Sequence, residues 1–202
     1  MGTAVGAVLA SLDELVTGHR LIGIVGAPGA GKSTVAAALA SRLDSAVVLP
    51  MDGFHLPQQR LVELGRRDRM GAPDTFDVDG FVRVLAALRA PAATVLAPTF
   101  DREREEPVPD AIAIRPDVQH VIVEGNYLLL GHSGWERVAP LLDVTVFIEL
   151  ERGIRQQRLI DRHVRFGKSL EDARGWALGT DERNAVLIEA TASRADHVLR
   201  VD

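Results

Sequence analysis

Residues 21–43 read LIGIVGAPGAGKSTVAAALASRL, and this stretch decides the fold. Leu21–Val25 is a short apolar run stopped by Gly26, the pattern of a buried strand. Gly26 to Ser33, GAPGAGKS, fills the spacing G-x-x-x-x-G-K-[ST]. From Lys32 to Leu43 apolar residues recur at the helical period, through Val35, Ala38, Leu39 and Leu43. A strand feeding a glycine-rich turn and then a helix makes an anion cradle. The glycines let the backbone wrap a phosphate chain with its N–H groups inward. The unpaired N–H groups and dipole of the helix start favour negative charge. In such a loop Lys32 reaches the β- and γ-phosphates of a nucleotide and the Ser33 hydroxyl ligates Mg²⁺. The expected nucleotide contacts are therefore Gly26, Ala27, Pro28, Gly29, Ala30, Gly31, Lys32, Ser33 and Thr34. A glycine-rich turn can match this spacing by chance, but the flanking strand and helix favour nucleotide binding.

The alternation continues along the chain. Ala46–Met51 reads as a second buried strand, Thr94–Leu96 as a short one, and His120–Val123 as another, closed by Glu124–Gly125. Val144–Leu150 and His197–Val201 complete the set. Helical spacing marks residues 3–17 (Val5, Val8, Leu9, Leu12, Leu15, Val16), the stretch Phe81 to Leu88, a long helix from about Glu151, and residues 170–178 and 181–191. Asp77 or Asp79 suits the N-cap of the helix at Phe81. Pro98 to Pro116 has another texture: DREREEPVPD is charged and broken by Pro107 and Pro109, while Ala111–Ile114 suits the edge strand of a hairpin. It reads as an excursion from the core. Short apolar strands alternating with helices predict an α/β fold, three layers α/β/α around a central, mainly parallel sheet. One such domain is expected over residues 1–202, with the excursion around 98–116 and a lid around 152–169. Ligands of such sheets bind outside the carboxyl ends of the strands, so chemistry is sought just after each strand.

Composition narrows the class. The 202 residues are 47% hydrophobic and 25% charged, a globular balance that excludes a disordered chain. A net charge of −5 disfavours nucleic acid and anionic membranes as partners. The absence of cysteine excludes disulfides, zinc–thiolate sites and thiol catalysis. No apolar run approaches the ~20 residues that span a bilayer. The N-terminal apolar stretch lacks a basic flank and soon meets Asp13 and Glu14, so no signal peptide is expected. The expectation is a soluble, cytoplasmic protein.

Two acids stand at strand ends. Asp52 follows the second strand in PMDGFH, and Glu124 closes HVIVEGNY. Asp52 can accept the proton of an attacking hydroxyl or hold Mg²⁺ through water, and phosphoryl transfer asks little of a base. The bland reading is that Asp-Gly is a turn dipeptide. Glu124 presents itself as a metal-facing carboxylate; the alternative is an acid at a helix start. Arg152, Arg155, Arg158 and Arg162 recur at spacings of three, three and four, sharing one helix face. Such a face can close on a triphosphate and neutralise developing charge; as a solvated face it would pair with Glu149, Glu151 and Asp161.

In chain order, GAPGAGKS, MDGFH, GAPDTFD (Gly71 to Asp77), PTFDRE (Pro98 to Glu103), VIVEGNYLL and RLIDRHVRFGKS resemble the phosphoribulokinase/uridine kinase family of P-loop kinases, which includes bacterial pantothenate kinase. The resemblance runs from about residue 20 to the C-terminus. It implies the P-loop NTPase fold and an ATP- and Mg²⁺-dependent transfer of the γ-phosphate to a hydroxyl of a small molecule. It places Asp52 on the family's catalytic carboxylate, Glu124 on the acid of its E-G motif, and Arg158 and Arg162 in its arginine-bearing lid. The implied catalytic set is Lys32, Asp52, Glu124 and Arg162; Arg158 joins the nucleotide contacts, and Ser33, Asp52 and Glu124 are the Mg²⁺ donors. Asp52, His55, Asp74, Phe76 and Arg102 are the acceptor-side candidates, with Asp77 either lining that pocket or capping a helix. Uridine kinases carry aspartate and histidine where this chain has Gly71 and Ala72, and a histidine after their Y-D motif where this chain continues Phe100–Asp101 into REREEP. The pattern of GAPDTFD looks more like pantothenate kinase and a branch labelled fructose-transport or nucleoside kinase-like. Family resemblance also admits a homodimer.

The alternative is a P-loop NTPase that hydrolyses ATP as a regulatory or transport-linked switch. No N-K-x-D guanine-reading motif and no L-S-G-G-Q signature occurs. A binding module that merely kept the loop is opposed by the intact Lys32, Ser33, Asp52 and Glu124. The six histidines lack metal-ligand spacing and, His55 apart, are expected on the surface or in the core, and Trp135 and Trp176 are expected to pack.

Overall fold

Leu21, Ile22, Ile24 and Val25 have no solvent exposure, because the strand that carries them, β1 (Leu21–Val25), is central in a five-stranded sheet. In this computed structural model, which describes residues 12, 14–90 and 92–201, β1 leads to α1 (Lys32–Ala40), β2 (Ala46–Pro50), a single 3₁₀ turn (Met51–Phe54), α2 (Gln58–Glu63) and α3 (Val78–Arg89). There follow β3 (Val95–Asp101), β4 (Glu106–Ile114), β5 (His120–Gly125), β6 (Val144–Leu150), α4 (Arg152–Arg165), α5 (Leu170–Leu178), α6 (Thr180–Glu189) and β7 (His197–Val201). The main sheet runs β2-β5-β1-β6-β7 with every pairing parallel.

Side chains alternate across a strand, and the sheet buries both faces. Leu21, Val25, Val121, Val123 and Phe147 pack with Phe81, Leu85 and Leu88 of α3. Ile22, Ile24, Ile122, Val146 and Ile148 pack with Val35 and Leu39 of α1. The result is the expected three-layer P-loop fold. The helix expected over residues 3–17 falls mostly outside the described residues; from it, Leu12 and Val16 are buried on the α1 side.

Three expectations change. β2 is an edge strand in which only Leu49 is fully buried. α1 stops at Ala40, where the Ser41 N–H closes onto Ala37 O and its hydroxyl onto Ala38 O, so Leu43 lies past the helix. The proline-broken stretch forms most of a two-stranded antiparallel ribbon, β3 with β4, and takes in both Pro107 and Pro109. Proline lacks an amide donor, and a strand paired on one side only has places where none is needed. The register shifts between Ala97 and Thr99, across Pro98. Asp77 is the α3 cap, accepting from Gly80 N at 2.8 Å, while Asp79 pairs with Arg137 at 2.6 Å.

Gly53 docks the ribbon on the sheet. A Cβ there would lie 2.3 Å from the Pro98 carbonyl oxygen, so only a glycine lets β3 approach the turn after β2. Among the described residues no helix is long and apolar enough to cross a membrane. Gly53→Ala is expected to lower unfolding free energy by ~1–3 kcal/mol, the cost of overpacking a tight contact, as read by urea denaturation.

Candidate active site

Register alone brings three strand ends to one level. Ile24 and Val25 of β1 pair with Glu124 and Gly125 of β5, and Pro50 of β2 pairs with Glu124. The residues that follow β1 and β2, the glycine-rich loop and Asp52, therefore meet Glu124 at one edge of the sheet. The loop is held against α4. A Cβ on Gly29 would stand 2.8 Å from Arg155 O, and Gly29 (φ +81°) has the left-handed backbone that glycine adopts without strain. Lys32 is 8% exposed, and its Nζ donates to Ala27 O at 3.1 Å. Burial brings its pKa down to about 8, against the opposing pull of Glu124 and Asp52.

The Ser33 hydroxyl donates to Glu124 Oε1 at 3.1 Å. The two carboxylates are driven in opposite directions. Burial, and then the charge of Asp52, push Glu124 up, only partly offset by Lys32 and by the Ser33 bond. Burial would raise Asp52 too, but neighbouring His55, Arg102, Lys32 and Arg162 outweigh it and hold Asp52 below its ordinary value. Two neighbouring acids with separated proton affinities can divide a base role from a metal-facing one. The Ser33 hydroxyl and the two carboxylates are hard oxygen donors of the kind Mg²⁺ takes. Among the described residues no trio of His, Cys, Asp or Glu is arranged for a metal, so a bound Mg²⁺ would complete its shell with phosphate and water oxygens.

A cavity of about 170 Å³ opens beside these groups, with Lys32, Ser33, Asp52, Glu124 and Arg162 in its walls. His55, Phe76 and Arg102 also line it. The His55 ring stacks between Phe76 and Phe100, with centroids 4.0 and 4.7 Å away. Its Nδ1 lies 2.8 Å from Asp52 O, and a carbonyl only accepts, so that nitrogen carries the proton. Burial lowers the His55 pKa. Arg102, at the ribbon's tip, donates from Nη2 to Asp52 Oδ2 at 2.7 Å.

Asp74 is not among the lining residues. Its carboxylate is held by Arg69 at 2.5 and 2.7 Å and by Arg66 at 3.4 Å, which spends it on shaping its own loop. Asp77 likewise stays with its helix as the α3 cap. The loop between is pinned by Gly71 O, which accepts from the Tyr127 hydroxyl at 2.5 Å and Asn184 Nδ2 at 3.2 Å, and by Pro73 O, which accepts from Trp135 Nε1 at 3.1 Å.

The four arginines of α4 separate. Arg162 reaches the cavity; burial and nearby Arg102 lower its pKa against Asp181, Asp52 and Glu124. Arg158 approaches the loop, its Nη1 3.6 Å from where a Gly31 Cβ would be. Arg155 is 1% exposed and bound to Glu182 at 2.8 Å, and Arg152 reaches the same carboxylate at 2.8 Å. None of the anticipated acids pairs with these arginines by a side-chain bond: Glu149 takes Arg200, Glu151 caps α4, and Asp161 accepts from Gln157.

Sequence reasoning missed several walls of the cavity: Arg67, His163, Trp176, Asp181 and Asn184. His163 and Trp176, expected to be packing or surface residues, line it; His163 Nε2 sits 2.7 Å from Asp181 Oδ2, and Lys168 Nζ lies 5.1 Å above the Trp176 ring. No local spacing marks them: Arg67 comes from the segment after α2, and the packing of α4, α5 and α6 brings the others together.

Because phosphate favours a charged Lys32, ATP binding takes up a proton once free Lys32 titrates. Below about pH 8 affinity is expected to be flat on this account, and above it to weaken by up to tenfold per pH unit. Calorimetric titration with ATP checks this, and Lys32→Met is expected to remove the slope.

The family described as P-loop Nucleotide Kinase3 matches residues 17–75. The ATP-dependent kinase-like protein notR' of Aspergillus versicolor is 41% identical over 125 residues, 58% of this chain and 73% of that protein. A protein of Schizosaccharomyces pombe named as a candidate uridine kinase is 36% identical over 155 residues, 71% of this chain and 66% of its own. Among solved structures, a candidate fructose transport system kinase from Silicibacter sp. TM1040 superposes with a TM-score of 0.84 at 36% identity, covering 98% of this chain and 100% of that one.

Proposed function

This chain belongs to the phosphoribulokinase/uridine kinase family of P-loop kinases, and from that premise we propose that it transfers the γ-phosphate of MgATP to a hydroxyl of a small acceptor seated beside Asp52. The observation that carries this reading is the convergence of Lys32, Ser33, Asp52 and Glu124 on one cavity. A nucleotide on Gly26–Thr34 directs its terminal phosphate towards Lys32, with Arg158 at the loop and Arg162 facing the cavity. Ser33, Glu124 and Asp52 would hold Mg²⁺ directly or through water, and the bound ion would neutralise phosphate charge.

The acceptor hydroxyl attacks the γ-phosphorus while its proton passes to Asp52, and the bond to the β-phosphate oxygen breaks with its electron pair leaving on ADP. The low proton affinity of Asp52 is no obstacle, since a loose transition state needs little help from a base. Lys32 and Arg162 balance the charge on the transferred group. His55, Phe76 and Arg102 form the acceptor's wall, and closure of the basic lid around residues 152–169 over the cleft excludes water. We read the chain as a single kinase domain with the ribbon on the acceptor side.

Asp52→Asn is expected to cut acceptor-dependent ADP formation by ~10²–10⁴-fold, the usual contribution of a positioned acid or base, with ATP binding retained. The assay is ADP release across pantothenate, nucleosides, ribulose 5-phosphate, fructose and other sugars. Lys32→Ala is expected to lose orders of magnitude in the same assay with the fold intact by circular dichroism. Turnover that no acceptor stimulates would favour the switch reading, and unchanged transfer in Asp52→Asn would remove that residue from the chemistry.

A further inference from the structure

We propose that Arg102 sets the discrimination between acceptor and water: it covers Asp52 in the free protein, withholding it from water, and yields its place to the acceptor's hydroxyl. This rests on the kinase reading above. Water is the obvious competitor, since it fills the cleft whenever the acceptor is away. It could attack the γ-phosphorus, pass a proton to Asp52 and expel ADP just as an alcohol would. Arg102 occupies Asp52 Oδ2 at 2.7 Å, an oxygen on which an attacking hydroxyl would place its proton.

The pair is built to be exchanged. Its side chains are 41% and 26% exposed, and ion pairs in contact with solvent are weak enough for a ligand to displace. Its placement does not depend on the pair itself. Pro98 O is seated on Gly53. At the ribbon's tip Asp101 Oδ1 accepts from the backbone N–H groups of Glu103 and Arg104 at 2.9 and 3.0 Å. Gln58 Nε2 donates to Arg104 O at 3.0 Å and to Glu105 O at 3.2 Å, and Arg67 holds the Glu105 carboxylate. The tip therefore keeps its position when the Arg102 side chain moves or is removed. When an acceptor donates to Oδ2, the freed guanidinium stands beside it with donors for its other oxygens.

The test needs no acceptor. Phosphate release from MgATP alone is measured for the wild type, Arg102→Ala, Arg102→Gln, Asp52→Asn and the Arg102→Ala/Asp52→Asn double variant. Removing the guanidinium is expected to raise acceptor-free release by about tenfold, one decade in rate, at an unchanged KM for ATP. Adding Asp52→Asn is expected to return it to the wild-type level or below. Release no faster in either Arg102 variant overturns the proposal, as does an increase that survives loss of the Asp52 carboxylate. Arg102→Gln, which keeps most of the side chain's bulk, decides the matter if Arg102→Ala fails to fold. Failure of the kinase reading shows elsewhere, as a wild type that no acceptor stimulates.

Discussion

The parallel register of β2, β5 and β1 is the constraint on which everything else rests. Pairing Glu124 opposite both Ile24 and Pro50 fixes the level at which three chains leave the sheet. One leaves as the glycine-rich loop, one as the turn bearing Asp52, and one carries Glu124 one residue before its end. A slip of one residue would turn each side chain to the other face and separate the Ser33 hydroxyl from Glu124. Burial of both sheet faces makes such a slip costly, since Ile22, Ile24, Ile122, Val121 and Val123 are all fully buried. The core thus sets the geometry of the site as well as the stability of the fold.

On that frame the charges are arranged by burial and proximity. Lys32 is held at reduced proton affinity by burial, and Glu124 at raised affinity by burial and by Asp52. Of the two carboxylates only Asp52 is pulled down, because His55, Arg102, Lys32 and Arg162 together outweigh its burial. These groups are poised for a highly charged guest. A polyphosphate answers the excess of cations around Lys32 and Arg162, and a divalent ion would relieve the mutual repulsion of the two carboxylates. Arg155 is spent elsewhere: fully buried and bound to Glu182, it ties α4 to α6 behind the loop.

The β3–β4 ribbon and the helices α4–α6 both supply walls of the cavity. The ribbon brings Arg102 and Phe100, and α6 brings Asp181 and Asn184. Asn184 also grips Gly71, so the helix that walls the cavity steadies the 71–77 loop as well. The cavity walls therefore come from segments far apart in the chain, joined through backbone carbonyls and a few buried side chains.

Much of this was legible in the amino acids. Leu21–Val25, GAPGAGKS and the run beginning at Lys32 announce strand, cradle and helix through local periodicity and glycine placement. Asp52 and Glu124 stand out because each ends an apolar run. Such signals are carried by neighbours in sequence, and a single chain displays them openly. What only the tertiary structure decided depends on contacts between distant segments. Asp74 sits in a motif that promised an acceptor contact, but Arg66 and Arg69 claim it. The arginines of one helix face parted, Arg155 into the interior and Arg162 into the cavity, because a helix face has two edges and different neighbours on each. His163 and Trp176 became walls of the cleft through the packing of three helices, and Gly53 owed its identity to a carbonyl 45 residues away in sequence, at Pro98. Periodicity tells which side of an element is apolar; which partner meets it, and what is left over to face a ligand, is settled only when the elements pack.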